Sequence, residues 1–135
     1  MNIHEEIITA KKQPLTPENL NYIGDLYLKT GDKQTAIFHF YEAAEKLHIS
    51  QRDKKLAIYK KILNVSTSES MAYEKIINIF SRMGLVADER KYLMSLASLY
   101  QNRGEYNKLD AISRRIKEID SNNQVIGKHS ERSGQ

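Results

Sequence analysis

Four histidines, His4, His39, His48 and His129, are the side chains best suited to hold a metal or move a proton near neutral pH. No two of them stand four apart and none belongs to an HExxH pattern, the spacing that puts two imidazoles on one helical face. His39 and His48 fall on one predicted helix, and at ~100° per residue their separation points them in nearly opposite directions. A shared metal is therefore not expected. The chain has no cysteine, which removes thiolate sites and disulfides. Ser66-Thr67-Ser68-Glu69-Ser70 supplies hydroxyls without a base and an orienting acid at recognisable spacing. Ser66 and Glu69 have instead the spacing of a helix capping box. Gly24, Gly31, Gly84 and Gly104 are isolated, so no phosphate-cradling loop is formed. The acidic residues Glu5, Glu6, Glu42, Glu45, Asp88 and Glu89 are scattered, as on solvated helix faces. The chain is read as a non-enzymatic protein that uses no cofactor.

Basic residues are more concentrated. Lys54, Lys60 and Lys61 lie close together on a predicted third helix, with Lys54 and Lys61 on one face. A predicted sixth helix carries Lys108, Arg114, Arg115 and Lys117, partly neutralised by Asp110, Glu118 and Asp120. Such a surface can track phosphates without reading sequence, whereas a merely solvated face accounts for the same residues. Tyr59 and Tyr106 fall on apolar stripes and are expected in the core, not as stacking platforms for bases. The formal net charge of +4 speaks of solubility and association, not of fold.

These side chains must be positioned by helices. Hydrophobic residues make up 40% of the 135 residues, enough to bury a core, and only two prolines interrupt the chain. Period-two alternation and hairpin turns are missing. Neither a signal peptide nor a membrane-length apolar run occurs, so a soluble cytoplasmic protein with no membrane partner is expected. Residues 1–15 hold a short amphipathic piece around Ile3, Ile7 and Ile8. Thr16-Pro17-Glu18 is a helix start, with a capping hydroxyl, proline in the first turn and an acid at the positive end of the dipole. Six helices follow at about 17–30, 33–49, 52–65, 70–83, 86–103 and 105–119. Beyond Asp120 the polar, aperiodic residues 121–135 read as a disordered tail.

A shift of 53 residues brings the two halves into register. Leu20 then meets Tyr73, Ile23 meets Ile76, Tyr27 meets Phe80, Gly31 meets Gly84, Phe40 meets Leu93, Ala44 meets Ala97 and Leu63 meets Ile116. The domain at 16–120 is accordingly read as two three-helix units, 17–69 and 70–122. Within the first unit, Leu20, Ile23, Gly24 and Tyr27, then Gly31, then Ala36, Phe40 and Ala43 place small and aromatic residues in an order that resembles the tetratricopeptide repeat, a helix–turn–helix unit of about 34 residues. The second unit keeps the sizes but departs at Ile77, which replaces Gly, and at Glu89, which replaces Ala. The long–short phrasing is similar to a bacterial group of these repeats.

That resemblance implies an all-α, right-handed solenoid of about six antiparallel helices, with residues 1–15 as a short extra helix, and a scaffold that binds a peptide or protein segment in its concave groove. The groove positions carried over are Asn21, Asp25, Leu28 and Lys29 in the first unit and Glu74, Asn78, Ser81 and Arg82 in the second. Asp25 stands where the carboxylate-clamping members of the family place an asparagine, so a terminal carboxylate is not the expected ligand. Two alternatives remain: an acidic or nucleic-acid partner on Lys54, Lys60 and Lys61, and a homodimer through Tyr106, Ile112, Ile116 and Ile119 of the last helix.

Overall fold

Thr16 accepts from the Asn19 amide at 3.1 Å and Pro17 fills the first helical turn, where no amide donor is needed. The helix they start is one of seven among the residues that the computed structural model describes, residues 1–133, with side chains as far as residue 123. These helices are α1 (Ile3–Lys11), α2 (Pro17–Thr30), α3 (Lys33–Lys46), α4 (Arg52–Val65), α5 (Ser70–Met83), α6 (Val86–Arg103) and α7 (Tyr106–Ser133). A one-turn 3-10 segment, Ile49–Gln51, leads into α4. Two compact units are formed, Met1–Ala72 and Tyr73–Gln135.

In the first unit each helix packs on its sequence neighbour, α1 on α2, α2 on α3 and α3 on α4. The centre of this packing is the contact between Gly24 and Phe40. A methyl group added to Gly24 would overlap the Phe40 ring, with Cδ1 only 2.7 Å away. Gly24 is thus a point of close helix approach, filled by the ring of the facing helix. Ala36, Ala43 and Ala44 are buried in the same unit, as are Leu20, Ile23, Tyr59 and Ile62. The N-terminal helix covers another side of α2: Ile7 and Ala10 cluster with Ile23 and Leu26, and Ile3 and Tyr27 pack at the edge. Ile8 lies outside this contact and is exposed, while Ala10 takes the buried place.

In the second unit α6 packs on α7, and α5 meets α6 through the rings of Phe80 and Tyr92, 5.8 Å apart. Gly84 repeats the role of Gly31. Both adopt positive φ, 70° and 85°, and the amide after each bonds to the carbonyl five residues earlier, closing the helix in the left-handed conformation that glycine takes without strain. The residues equivalent to Gly24 and Phe40 are Ile77 and Leu93, a larger residue in place of the glycine and a smaller one in place of the ring.

Two boundaries differ from the sequence reading. The predicted second helix stops at Lys46 because Lys55 reaches back to bond the carbonyls of Ala44 (2.7 Å) and Leu47 (3.1 Å), satisfying acceptors at the helix end. The last helix runs on to Ser133, past Asp120, since helical hydrogen bonds close within the segment and need no apolar partner. Of the tail expected at 121–135, residues 134–135 lie outside the described residues.

Arg90 ties α6 to α7 by two bonds to Asp120, 2.7 Å from Nε and 3.2 Å from Nη2. Chiefly through these bonds, Arg90 holds the Asp120 carboxyl below its ordinary value. The folded value lies below the unfolded one, so this stabilisation is complete above the unfolded pKa and is lost as pH falls through the folded one. Asp120→Asn is expected to lower the urea midpoint at pH 6, with a smaller difference from wild type at about pH 2, which lies below the unfolded value. An equal difference at both pH values would mean that the charge of Asp120 contributes nothing.

Candidate functional site

The α2 and α4 helices of the first unit run in the same sense and leave a groove between them. At its near end, Pro17, Glu18 and Asn21 from α2 and Lys54, Ala57 and Ile58 from α4 surround an open, mainly apolar pocket of about 250 Å³, with Leu47 from the end of α3. Further along, Lys61 crosses from α4 to α2. Its Nζ lies 2.5 Å from Asp25 Oδ1, donates to Asn21 Oδ1 at 3.0 Å, and sits 4.5 Å from the centre of the Phe40 ring. The sequence reading had put Asn21 and Asp25 in a peptide groove and Lys61 in a separate basic patch; the fold brings all three into one polar bridge. Lys54 belongs to the pocket wall, and Lys60 is exposed.

Leu28 is half-buried and Lys29 exposed, and neither lines the pocket. In the second unit Glu74, Asn78, Ser81 and Arg82 are exposed on α5. Glu74 is committed to the core below it: its Oε1 accepts from the Tyr100 hydroxyl at 2.7 Å. Tyr59 similarly donates to Glu45 Oε1 at 2.5 Å. Burial first, and these carboxylate acceptors second, push both phenols far above their ordinary range, so they remain neutral donors. Tyr59 is buried as expected. Tyr106 is not: at 63% exposure it stands in solvent at the start of α7, because the apolar stripe of that helix reaches full burial only at Ile119. Ile112 and Ile116 are half-buried.

Glu89 corrects the reading of the acidic residues as a solvated set. It is 2% exposed and grips Arg115 of α7 through both oxygens, at 2.8 and 2.9 Å. Its counterpart in the first unit is Ala36, and that of Arg115 is Ile62, both fully buried. A buried apolar pair in one unit is thus replaced at both positions by an ion pair in the other. The substitution of Glu for Ala was visible in the sequence; its partner was hidden among Lys108, Arg114, Arg115 and Lys117 of the last helix, which spacing alone does not tell apart.

The remaining polar candidates have structural duties. His39 bonds the Thr35 carbonyl through Nδ1 at 2.8 Å and stacks on Tyr27, whose hydroxyl accepts from Lys11 at 2.6 Å. The His48 ring accepts from the Ser50 amide and caps the 3-10 turn. Ser66 ends α4, with its hydroxyl on Ser68, and Glu69 takes the Tyr41 hydroxyl; the capping box expected between them is not formed. Among the described residues, no three His, Asp or Glu side chains are grouped to hold a metal ion. No helix among them is long and apolar enough to cross a membrane.

Fold and site together define an all-helical protein of seven helices among the described residues, packed within each unit mainly on their sequence neighbours, the first unit carrying an apolar pocket between two parallel helices. Compared with protein-family models and with curated proteins, the chain matches none.

Proposed function

We propose that the protein is a non-enzymatic interaction scaffold of tetratricopeptide type, which binds a peptide or protein segment in the groove between α2 and α4. The observation that carries this reading is the pocket: an apolar recess on a helical surface, edged by polar side chains, is the form that peptide recognition takes. The Gly24–Phe40 contact supports the repeat class, since it is the close helix crossing for which the small-and-aromatic pattern exists. A phosphate-tracking role draws less support here, because Lys61 is already paired with Asp25 and because Glu18 faces the same groove as Lys54.

Ala57 is exposed and lines the pocket, so Ala57→Trp fills the recess without disturbing the core. Proteins captured by the wild-type chain should be lost from Ala57→Trp and kept by Ser98→Ala, a change on an exposed position of α6. Equal capture by all three chains would remove the groove from consideration. Capture that disappears on nuclease treatment would favour nucleic acid.

A further inference from the structure

The two rims of the groove carry opposite charge in a repeated spacing. On α2 the acids are Glu18 and Asp25; of the five bases on α4, Arg52, Lys54, Lys55, Lys60 and Lys61, two meet the α2 side, Lys54 at the pocket and Lys61 at Asp25. Each pair is seven residues apart, two helical turns, so the charges recur on the same face about 10 Å further along. At the far end the rims are joined by the Lys61–Asp25 bridge. At the near end Glu18 and Lys54 flank the pocket, both exposed, and neither forms an ion pair or side-chain hydrogen bond among the described residues.

From this we infer that the pocket takes one apolar side chain of a peptide whose immediate neighbours are a cation and an anion, the cation meeting Glu18 and the anion meeting Lys54. This rests on the peptide-binding reading and names the chemistry of its ligand. The apolar walls, Pro17, Leu47, Ala57 and Ile58, supply attraction for the side chain. The Lys61–Asp25 bridge closes the groove two turns on, which limits the occupant to a single anchor. Opposite rim charges disfavour a run of like charge, because either sign meets one attractive and one repulsive rim. A nucleic-acid backbone is such a run. Exposed pairs of this kind set selectivity and orientation more than affinity.

The test is an amide NMR titration of the full chain with four blocked pentapeptides, Ala-X-Leu-Z-Ala. X and Z are Lys and Glu, both Lys, both Glu, or both Gln. The Lys/Glu peptide should shift the amides of Asn21, Ala57 and Ile58 and bind about two- to fivefold more tightly than the Gln peptide, with the advantage shrinking in high salt. Glu18→Lys should transfer the preference to the Glu/Glu peptide, and Lys54→Glu should transfer it to the Lys/Lys peptide. Both changes are at exposed positions, and circular dichroism checks that the fold is kept. Equal affinity for the four peptides at these amides overturns the charge selectivity and leaves a groove that binds peptides. Absence of shifts at these amides with every peptide overturns the pocket assignment itself. The Ala57→Trp capture experiment then decides separately whether the groove reading survives.

Discussion

Arg115→Ala is expected to destabilise the second unit by about 3–5 kcal/mol, because it leaves a buried carboxylate without its partner. Glu89 is 2% exposed, and its two oxygens are engaged by Nε and Nη2 of Arg115. Once the guanidinium is removed, water has little access to replace it. The reverse change, Glu89→Ala, is expected to cost less. The Arg115 side chain is about one-third exposed and keeps a second acceptor, Glu118, at 3.1 Å. Its charge can therefore remain solvated. The double variant Glu89→Ala/Arg115→Ile installs the pair that the first unit uses, Ala36 and Ile62, and is expected to lie between neutrality and about 4 kcal/mol more stable than wild type. Urea unfolding followed by circular dichroism measures all three. Equal losses for the two single variants would contradict the asymmetry argued from exposure. A double variant as unstable as Arg115→Ala would mean that the site cannot close around apolar side chains.

Gly24→Ala is expected to cost about 1–3 kcal/mol, since the added methyl overlaps the ring edge of Phe40, a fully buried side chain. Phe40→Leu should also destabilise, by less than the ~3–5 kcal/mol typical of truncating a buried Phe to Ala. Combined, the two changes should be less harmful than their sum by about 0.5–3 kcal/mol, because the smaller side chain vacates the space the methyl requires. The second unit carries the matching exchange of sizes in its sequence, Ile77 for Gly24 and Leu93 for Phe40. Thermal melts of the two single variants and the double close the cycle. Strict additivity would show that the ring and the glycine do not share the space ascribed to them.

Much of the fold was legible because its signals act over one turn of chain. Thr16 and Pro17 begin α2, Gly31 and Gly84 end helices in the left-handed conformation, and these depend on backbone geometry at the residue itself. The size pattern of Leu20, Ile23, Gly24, Phe40 and Ala43 was legible for a related reason. Helical spacing alone puts such residues on one face, and all five are buried. Asn21 and Asp25, carried over from the resemblance, both meet Lys61, and Asn21 also lines the pocket. Leu28 shares the face of Asn21 but stands two turns beyond the pocket, whereas Lys29, one residue or ~100° further round, falls on another face.

What the sequence determined by itself was the class of element, the helix ends closed by glycine and the repeated order of large and small side chains, since each is decided by local conformation and periodicity. Only the tertiary structure decided the partners of charge. Lys61 reaches Asn21 across 40 residues of chain, and Arg115 reaches Glu89 across 26. No periodicity encodes such a meeting, because a long charged side chain looks the same in sequence whether it ends in water or in an ion pair. The groove is therefore a product of packing. Helices that recruit Lys61 into a bridge and leave Lys54 open make two like residues on one face into different chemical objects.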